Sequence, residues 1–226
     1  MTDKWKHGPA ENTKRIARLL ADKMPHLEFA FWDLSDFMPA FHNVRRNMIF
    51  IECEKLAHKE VIGALADKPE LRNYLVYSGD RKPVTINEAW ASAKNTNEIR
   101  DIIIVIARTD FHETEVYEGN AHHPSVERRL VDLLAYSLKG YLPFTIDEAA
   151  DALEWEIKNG ALKITTMQRY ATRRYVGWFF DIVMFKINEK TSHSNNLIDK
   201  LDNIDPRYIE SGKRYYDAVL RVGNHE

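Results

Sequence analysis

One run of the sequence limits the fold more than any other feature. Residues 101–108 read DIIIVIAR, with five consecutive β-branched aliphatic side chains and no polar residue between them. β-Branched residues favour strands, and a strand that is apolar without alternation presents apolar side chains on both of its faces. We therefore expect a central strand of a sheet that is covered on both sides.

Earlier apolar runs predict further strands at residues 27–33, 47–54 and 73–78. Apolar spacing predicts helices between and before them, over residues 12–24, 34–41 and 55–66, with Asn12 as the N-cap of the first. This alternation indicates crossover connections and a mixed, partly parallel sheet of about four to five strands with covering helices. Residues 79–100 are predicted to be a loop with one short helix near 87–94.

After Pro124 the sequence turns helical. Predicted helices cover residues 125–139, 145–159, 165–174 and 208–222, with Thr145-Ile-Asp-Glu148 as a capping box and Thr165 or Thr166 as a later cap. The most apolar stretch, residues 175–187, is too short to span a bilayer and predicts a buried or partner-facing helix. The polar residues 188–206 predict a loose connection.

The predicted fold class is thus α/β followed by an α-helical C-terminal half. We divide the chain into an N-terminal helix (1–26), an α/β sheet subdomain (27–120), a helical subdomain packed on it (121–187), and a polar connection with a C-terminal helix (188–226).

Composition excludes several classes of protein. None of the nine glycines lies close enough to another to form GxGxxG, GxxxxGK or GxSxG, which argues against a Rossmann dehydrogenase, a P-loop enzyme and an α/β-hydrolase. A single cysteine excludes an intramolecular disulfide and a multi-cysteine zinc site. The net charge of −2 gives no global attraction to nucleic acid. The lack of a bilayer-spanning run and of a signal peptide predicts a cytoplasmic protein without membrane contact.

Carboxylates at predicted strand ends are the first candidates for chemistry. Asp33, Asp36, Glu52 and Glu54 follow two neighbouring runs, and carboxylates so placed could hold Mg²⁺ for phosphodiester or nucleotidyl chemistry. However, the chain has no Gly-Ser pair and no DxD, and Glu54-Lys55 lacks the spacer of a (D/E)xK nuclease strand. The alternative is that these are ordinary charged strand ends, and no other cofactor is expected.

A second stretch is rich in metal-ligand types: His112, Glu113, Glu115, His122 and His123. Their spacing is not HExxH, and adjacent histidines on an extended chain point apart, so we predict a polar loop without a metal. Cys53 lies among aliphatic neighbours and is predicted to be a core residue.

Arginine and aromatic residues concentrate in the helical half: Arg128, Arg129, Arg169, Arg173, Arg174, Tyr170, Tyr175 and Trp178. Three interpretations are open. The arginines could pair at the surface with acidic residues such as Glu127 or Glu156. They could form a partner interface, or they could contact RNA or DNA by stacking and cation–π interactions.

Four segments together resemble a known family. They are Phe29-Ala-Phe-Trp-Asp33 with Phe37-Met38, Met48-Ile-Phe-Ile-Glu-Cys-Glu-Lys55, His123-Pro-Ser-Val-Glu-Arg-Arg-Leu-Val-Asp-Leu-Leu134, and Tyr170-Ala-Thr-Arg-Arg174. Over residues 27–180 the chain resembles the antitoxin domain of AbiEi-like proteins, the antitoxins of type IV systems whose toxins are AbiEii nucleotidyltransferases.

The resemblance implies an antitoxin-like protein that counteracts an AbiEii-type toxin. The binding residues that it suggests are Glu127, Arg128, Arg129, Asp132, Tyr170, Arg173 and Arg174. Many family members begin with a winged helix-turn-helix, for which about 25 residues are too few, so no promoter binding is expected from this chain. No complete active site is visible. The alternatives are a divergent metal-dependent nuclease or nucleotidyltransferase-fold enzyme that uses Asp33, Glu52 and Glu54, and an RNA-binding module.

Overall fold

The computed structural model describes residues 8–35, 37, 47–79, 101–108, 110–138, 142, 145–159, 162–191 and 206–223. Most of the predicted helix at 34–41, with Asp36, and the predicted helix near 87–94 lie outside these residues. The chain divides into two compact units, with the boundary between Ser125 and Val126. We call them the α/β unit and the helical unit.

One sheet of six strands forms the centre of the α/β unit. The strands are β1 (Phe29–Asp33), β2 (Met48–Cys53), β3 (Tyr74–Ser78), β4 (Asp101–Ala107), β5 (Thr114–Glu118) and β6 (Ala121–Pro124), in the order β3-β4-β2-β1-β6-β5. The pairs β1–β6, β2–β4 and β3–β4 are parallel, whereas β1–β2 and β5–β6 are antiparallel. The predicted mixed, partly parallel sheet is confirmed. It has two strands more than the four apolar runs of the sequence indicated, and these two, β5 and β6, form one edge of the sheet.

The aliphatic run forms β4, which pairs with β3 on one side and β2 on the other. Ile102, Ile103, Ile104 and Val105 are completely buried. The prediction of a central strand covered on both faces is therefore confirmed.

The β5–β6 hairpin corrects the prediction of a polar loop at residues 112–123. The turn places Gly119 at φ 58°, in the left-handed region that glycine adopts without steric cost. β5 lies at the sheet edge and has no fully buried residue. An edge strand of this kind shows no apolar alternation, which explains why the sequence did not reveal it.

Two helices, α1 (Glu11–Lys23) and α2 (His58–Ala66), contribute to one apolar core with the sheet residues Phe29, Phe31, Ile49, Ile51, Cys53, Ile103 and Val105. Cys53 is thus a core residue, as predicted. The predicted N-cap Asn12 is wrong, because the N-cap is Ala10 and no side chain caps this helix. Instead, the Ala10 N–H donates to Asp33 Oδ2 at 2.9 Å.

The helical unit contains α3 (Val126–Leu138), α4 (Ile146–Asn159), α5 (Ile164–Arg173), α6 (Gly177–Thr191) and α7 (Pro206–Gly223). The capping box is confirmed, because the Thr145 N–H donates to Glu148 Oε2 at 2.8 Å and the Glu148 N–H donates to Thr145 Oγ1 at 3.2 Å. The cap predicted at Thr165 or Thr166 is wrong, since Lys163 is the N-cap and no side chain caps α5.

The apolar stretch forms most of α6, where Phe180, Ile182, Val183, Met184 and Ile187 are at most 1% exposed. The helix continues to Thr191, so the predicted polar connection does not begin at residue 188. None of the described helices is both long and apolar enough to cross a membrane.

Candidate functional site

A buried carboxylate joins α3 to α5. Asp132 on α3 is completely buried and accepts hydrogen bonds from three side chains. The Arg174 Nε–H donates to Oδ1 at 2.7 Å, the Tyr170 hydroxyl lies 3.1 Å from Oδ2, and Arg128 Nε lies 3.3 Å from Oδ2. A charge removed from water is tolerated only with partners of this kind, so the carboxylate depends on all three.

Helical spacing produces this arrangement. Arg128 and Asp132 are four residues apart on α3, and Tyr170 and Arg174 are four apart along α5 and its C-cap, so each pair lies on one helix face. The arginines also contact rings: Arg128 Cζ lies 5.7 Å from the centroid of Tyr170, and Arg174 Cζ lies 5.7 Å from that of Tyr136. Cation–π attraction adds to the pairing with Asp132.

The predicted binding residues are therefore found mostly inside the protein. Arg128, Arg129, Asp132 and Tyr170 are at most 2% exposed, and the Arg174 side chain is 13% exposed. We name Arg128, Asp132, Tyr136, Tyr170 and Arg174 the buried network. For Arg128 and Arg129 the interpretation as surface ion pairs is wrong, because both side chains are buried and Arg128 pairs with Asp132 in the interior. Glu156, the other surface partner considered, is itself completely buried.

The two remaining binding candidates differ from these. Glu127 Oε1 accepts a hydrogen bond from the backbone N–H of Lys163 at 3.2 Å and so ties the start of α3 to the start of α5. Arg173 is exposed to solvent. Of the predicted set, Arg173 is thus the side chain most available to a partner.

The acidic strand ends do not come together. Because β1 and β2 are antiparallel, Asp33 lies opposite Ile49 whereas Glu52 lies opposite Ala30. The two carboxylates are three positions apart along the strands, about 10 Å, and they point to opposite faces of the sheet. Asp33 and Glu52 are therefore not placed to share one Mg²⁺ ion, and the reason is the direction and register of strand pairing.

Each of these carboxylates has its own structural partner. Asp33 is buried and accepts hydrogen bonds from the Ala10 and Ser35 N–H groups. Glu52 is completely buried and pairs with Arg108, whose Nη1 lies 3.3 Å from Oε2. Glu54 follows β2 and is exposed. Arg108, which belongs to no motif in the sequence, also pairs with Asp110 at 2.9 Å.

The histidine-rich stretch forms the β5–β6 hairpin and the turn before it. His122 packs against Phe111 and His123 against Phe31, with ring centroids 4.7 and 5.8 Å apart. Within the described part of the chain, no three His, Cys, Asp or Glu side chains are placed to share one metal ion.

The turn between α5 and α6 exposes side chains of another kind. Tyr175, predicted to begin the apolar helix, lies before it and is 90% exposed. Trp178 is 41% exposed, and Arg169 and Arg173 are exposed on α5. We name Arg169, Arg173, Tyr175 and Trp178 the Tyr175 surface. The signal missed in the sequence is that Tyr175 directly follows the end of a helix.

Together these features define a protein with a mixed α/β sheet unit and a helical unit whose interior holds an ionic network. A model of a family of unknown function, DUF6577, matches residues 1–190, and the chain belongs to that family. Helix α7 lies beyond the matched residues. No curated protein and no solved structure matches the chain.

Proposed function

We propose that this chain is an antitoxin-like protein of the cytoplasm, resembling the AbiEi family, that counteracts a nucleotidyltransferase toxin of the AbiEii type. One observation carries the proposal. The third and fourth segments of the resemblance, which are far apart in sequence, meet at one buried carboxylate. Asp132 of the third segment accepts hydrogen bonds from Tyr170 and Arg174 of the fourth.

The first two segments support the proposal in the same way. They form β1 and β2, which pair over the whole of β1, and β1 pairs on its other side with β6, where the third segment begins. The first two segments are thus paired strands inside the sheet of the α/β unit, and the last two meet in the interior of the helical unit. This is expected when a resemblance reflects a shared fold, since core positions are the ones that packing constrains.

The arrangement favours action through contact with a partner. Asp33 and Glu52 serve as internal partners of the fold, whereas the Tyr175 surface presents arginine and aromatic side chains to solvent. Arginine, tyrosine and tryptophan are the residues that dominate binding energy at protein interfaces.

The test is a rescue experiment. The chain is expressed beside any nucleotidyltransferase-like gene that adjoins its own gene, and growth is measured against cells that carry the toxin alone. We expect toxin expression to arrest growth and co-expression to restore it. A toxin that arrests growth equally with and without this chain, or a gene neighbourhood without a nucleotidyltransferase, would overturn the proposal.

An Asp132→Ala variant provides the matched control for the rescue. Removing the buried carboxylate leaves Arg128 and Arg174 without their common partner, so the helical unit should be strongly destabilised. Rescue should therefore be lost together with soluble, folded protein. If the variant were unfolded but still restored growth, rescue would not reflect the folded chain and the proposal would fail.

A further inference from the structure

The contact between α6 and α7 encloses an acidic side chain that is incompletely paired. Asp181 on α6 is 8% exposed, and Ser211 on α7 is the described side chain that hydrogen-bonds with its carboxyl group. The Asp181 Oδ1 atom is buried and has no hydrogen-bond partner among the described residues. A buried polar atom without a partner costs free energy, and the cost is much larger when the group carries a charge.

The two helices that enclose Asp181 provide no counter-ion for it. The charged residues that flank Ser211 on α7 are exposed, and they are Glu210, Lys213 and Arg214. Lys186, the next cation along α6, lies with its Nζ 4.2 Å from the ring centroid of Tyr216 and hydrogen-bonds with that residue. It is therefore engaged by α7 at another point of the contact.

The other helices packed against α6, which are α3, α4 and α5, do not compensate Asp181 either. Their cations with described side chains are Arg128, Arg129, Arg169 and Arg173, and their buried acids are Asp132 and Glu156. Burial raises the pKa of the Asp181 carboxyl group and Ser211 lowers it, and no charged side chain adds to these two causes among the described residues. Once ionised, Asp181 is thus a buried charge without a counter-ion in the described part of the chain.

Helix α7 is the element that can move to let water reach Asp181. A Cβ atom at Gly212 would overlap the Asp181 carbonyl oxygen, so the two helices leave no gap for water at this point. Among the described elements, α7 packs extensively against α6 alone. Separation of α7 from α6 would therefore hydrate the carboxylate and leave the contacts among α3, α4, α5 and α6 in place.

We propose that α7 is a strap that is released by ionisation of Asp181, so that it is closed over α6 in acid and opens as the pH rises. The protonated carboxyl group tolerates the buried position, and the stability that it gives to the closed contact is lost when it ionises. Opening is a local event that precedes unfolding of the unit. It uncovers the part of α6 that carries Phe185. The proposal does not depend on the proposed function.

The test is amide hydrogen exchange of α7 in the whole chain, measured for wild type and Asp181→Asn at about pH 4 and about pH 8. The ratio of the two exchange rates at one pH cancels the effect of pH on exchange itself. Because asparagine does not ionise, the ratio of wild type to variant should rise at least about threefold between the two pH values. One unit of difference in pKa between the closed and the open contact corresponds to about tenfold.

Two further variants make the test specific. Asp217→Asn is the matched control, because it makes the same chemical change at an exposed position of α7 and should keep the pH dependence of wild type. Ser211→Ala removes the hydrogen bond that supports the ionised carboxyl group, so α7 should open more steeply with pH than in wild type. This variant also tests the proposal if Asp181→Asn does not fold.

The amides of α4 serve as the internal reference, and their ratio should not change with pH. A constant ratio for α7 in Asp181→Asn, or a pH dependence that Ser211→Ala leaves unaltered, would overturn the proposal. So would an equal change in the amides of α4, because Asp181 would then act on unfolding of the whole unit. A loss of the pH dependence in Asp217→Asn would assign the effect to the net charge of α7 and would refute the role of Asp181.

Discussion

Gly212 on α7 lies so close to Asp181 on α6 that a Cβ atom at Gly212 would overlap the Asp181 carbonyl oxygen and lie 2.9 Å from Phe185 Cβ. The two helices also meet through rings. Phe185 and Tyr216 have centroids 5.8 Å apart, and Lys186 Nζ lies 4.2 Å from the Tyr216 centroid. Helix α7 is thus docked on α6 through a contact that allows no side chain at its closest point.

Gly212→Ala should consequently loosen the docking of α7. The added methyl group meets backbone atoms that cannot move aside, so we expect a loss of about 1–3 kcal/mol in the free energy of unfolding, or separation of α7 from α6. Gly63→Ala in α2 is the control, because nothing lies within 4 Å of the new methyl group and alanine favours helix by about 0.5–1 kcal/mol. Thermal unfolding should show shifts of opposite sign. Two shifts in the same direction would contradict the close contact.

Asp132→Asn should be among the most damaging single substitutions in the helical unit. It keeps the shape of the side chain but removes the charge that Arg128 and Arg174 share. Breaking a buried pair leaves uncompensated charge and costs about 3–5 kcal/mol. In denaturant unfolding, the variant should reach its midpoint at a lower denaturant concentration than wild type.

Two milder variants calibrate that measurement. Tyr170→Phe removes only the hydroxyl that donates to Asp132 and should cost about 1–3 kcal/mol. Asp151→Asn breaks the exposed pair with Lys190 and should cost at most about 1 kcal/mol. A ranking in which Asp151→Asn is as damaging as Asp132→Asn would show that the buried network is not what holds α3 and α5 together.

Asp181 predicts a pH dependence of stability. Burial raises the pKa of its carboxyl group, and the hydrogen bond with Ser211 opposes that rise. The folded protein therefore retains this proton to a higher pH than the unfolded chain, whose aspartates titrate near about 3.9. The contribution of the protonated Asp181 to the free energy of unfolding is therefore complete below the pKa of the unfolded chain, and it is lost as the pH rises through the higher pKa of the folded protein.

Asp181→Asn should remove that dependence. The advantage of the variant over wild type in Tm should increase from about pH 4 upward and then level off once the native carboxyl group has ionised. Paired thermal scans between about pH 3 and pH 8 test this. A difference in Tm that does not change with pH would show that Asp181 titrates alike in the folded and unfolded chains.

Local patterns in the sequence located most helices and strands. The aliphatic run at residues 101–108 predicted β4, and Thr145 with Glu148 predicted the start of α4 within one residue. Both signals depend on residues a few positions apart, and so they can be interpreted without knowledge of the tertiary fold. The β5–β6 hairpin was missed because its edge strand carries little apolar signal.

The sequence by itself therefore determined the fold class, the position of most elements and the core role of Cys53. Tertiary structure alone decided that Asp33 and Glu52 lie at opposite ends of the β1–β2 pair and on opposite faces, since the direction and the register of strand pairing depend on distant residues. It also decided that Asp132 is buried with its arginines while Tyr175 is exposed. Charge pattern alone could not show this, because the burial of a side chain is set by what packs over it.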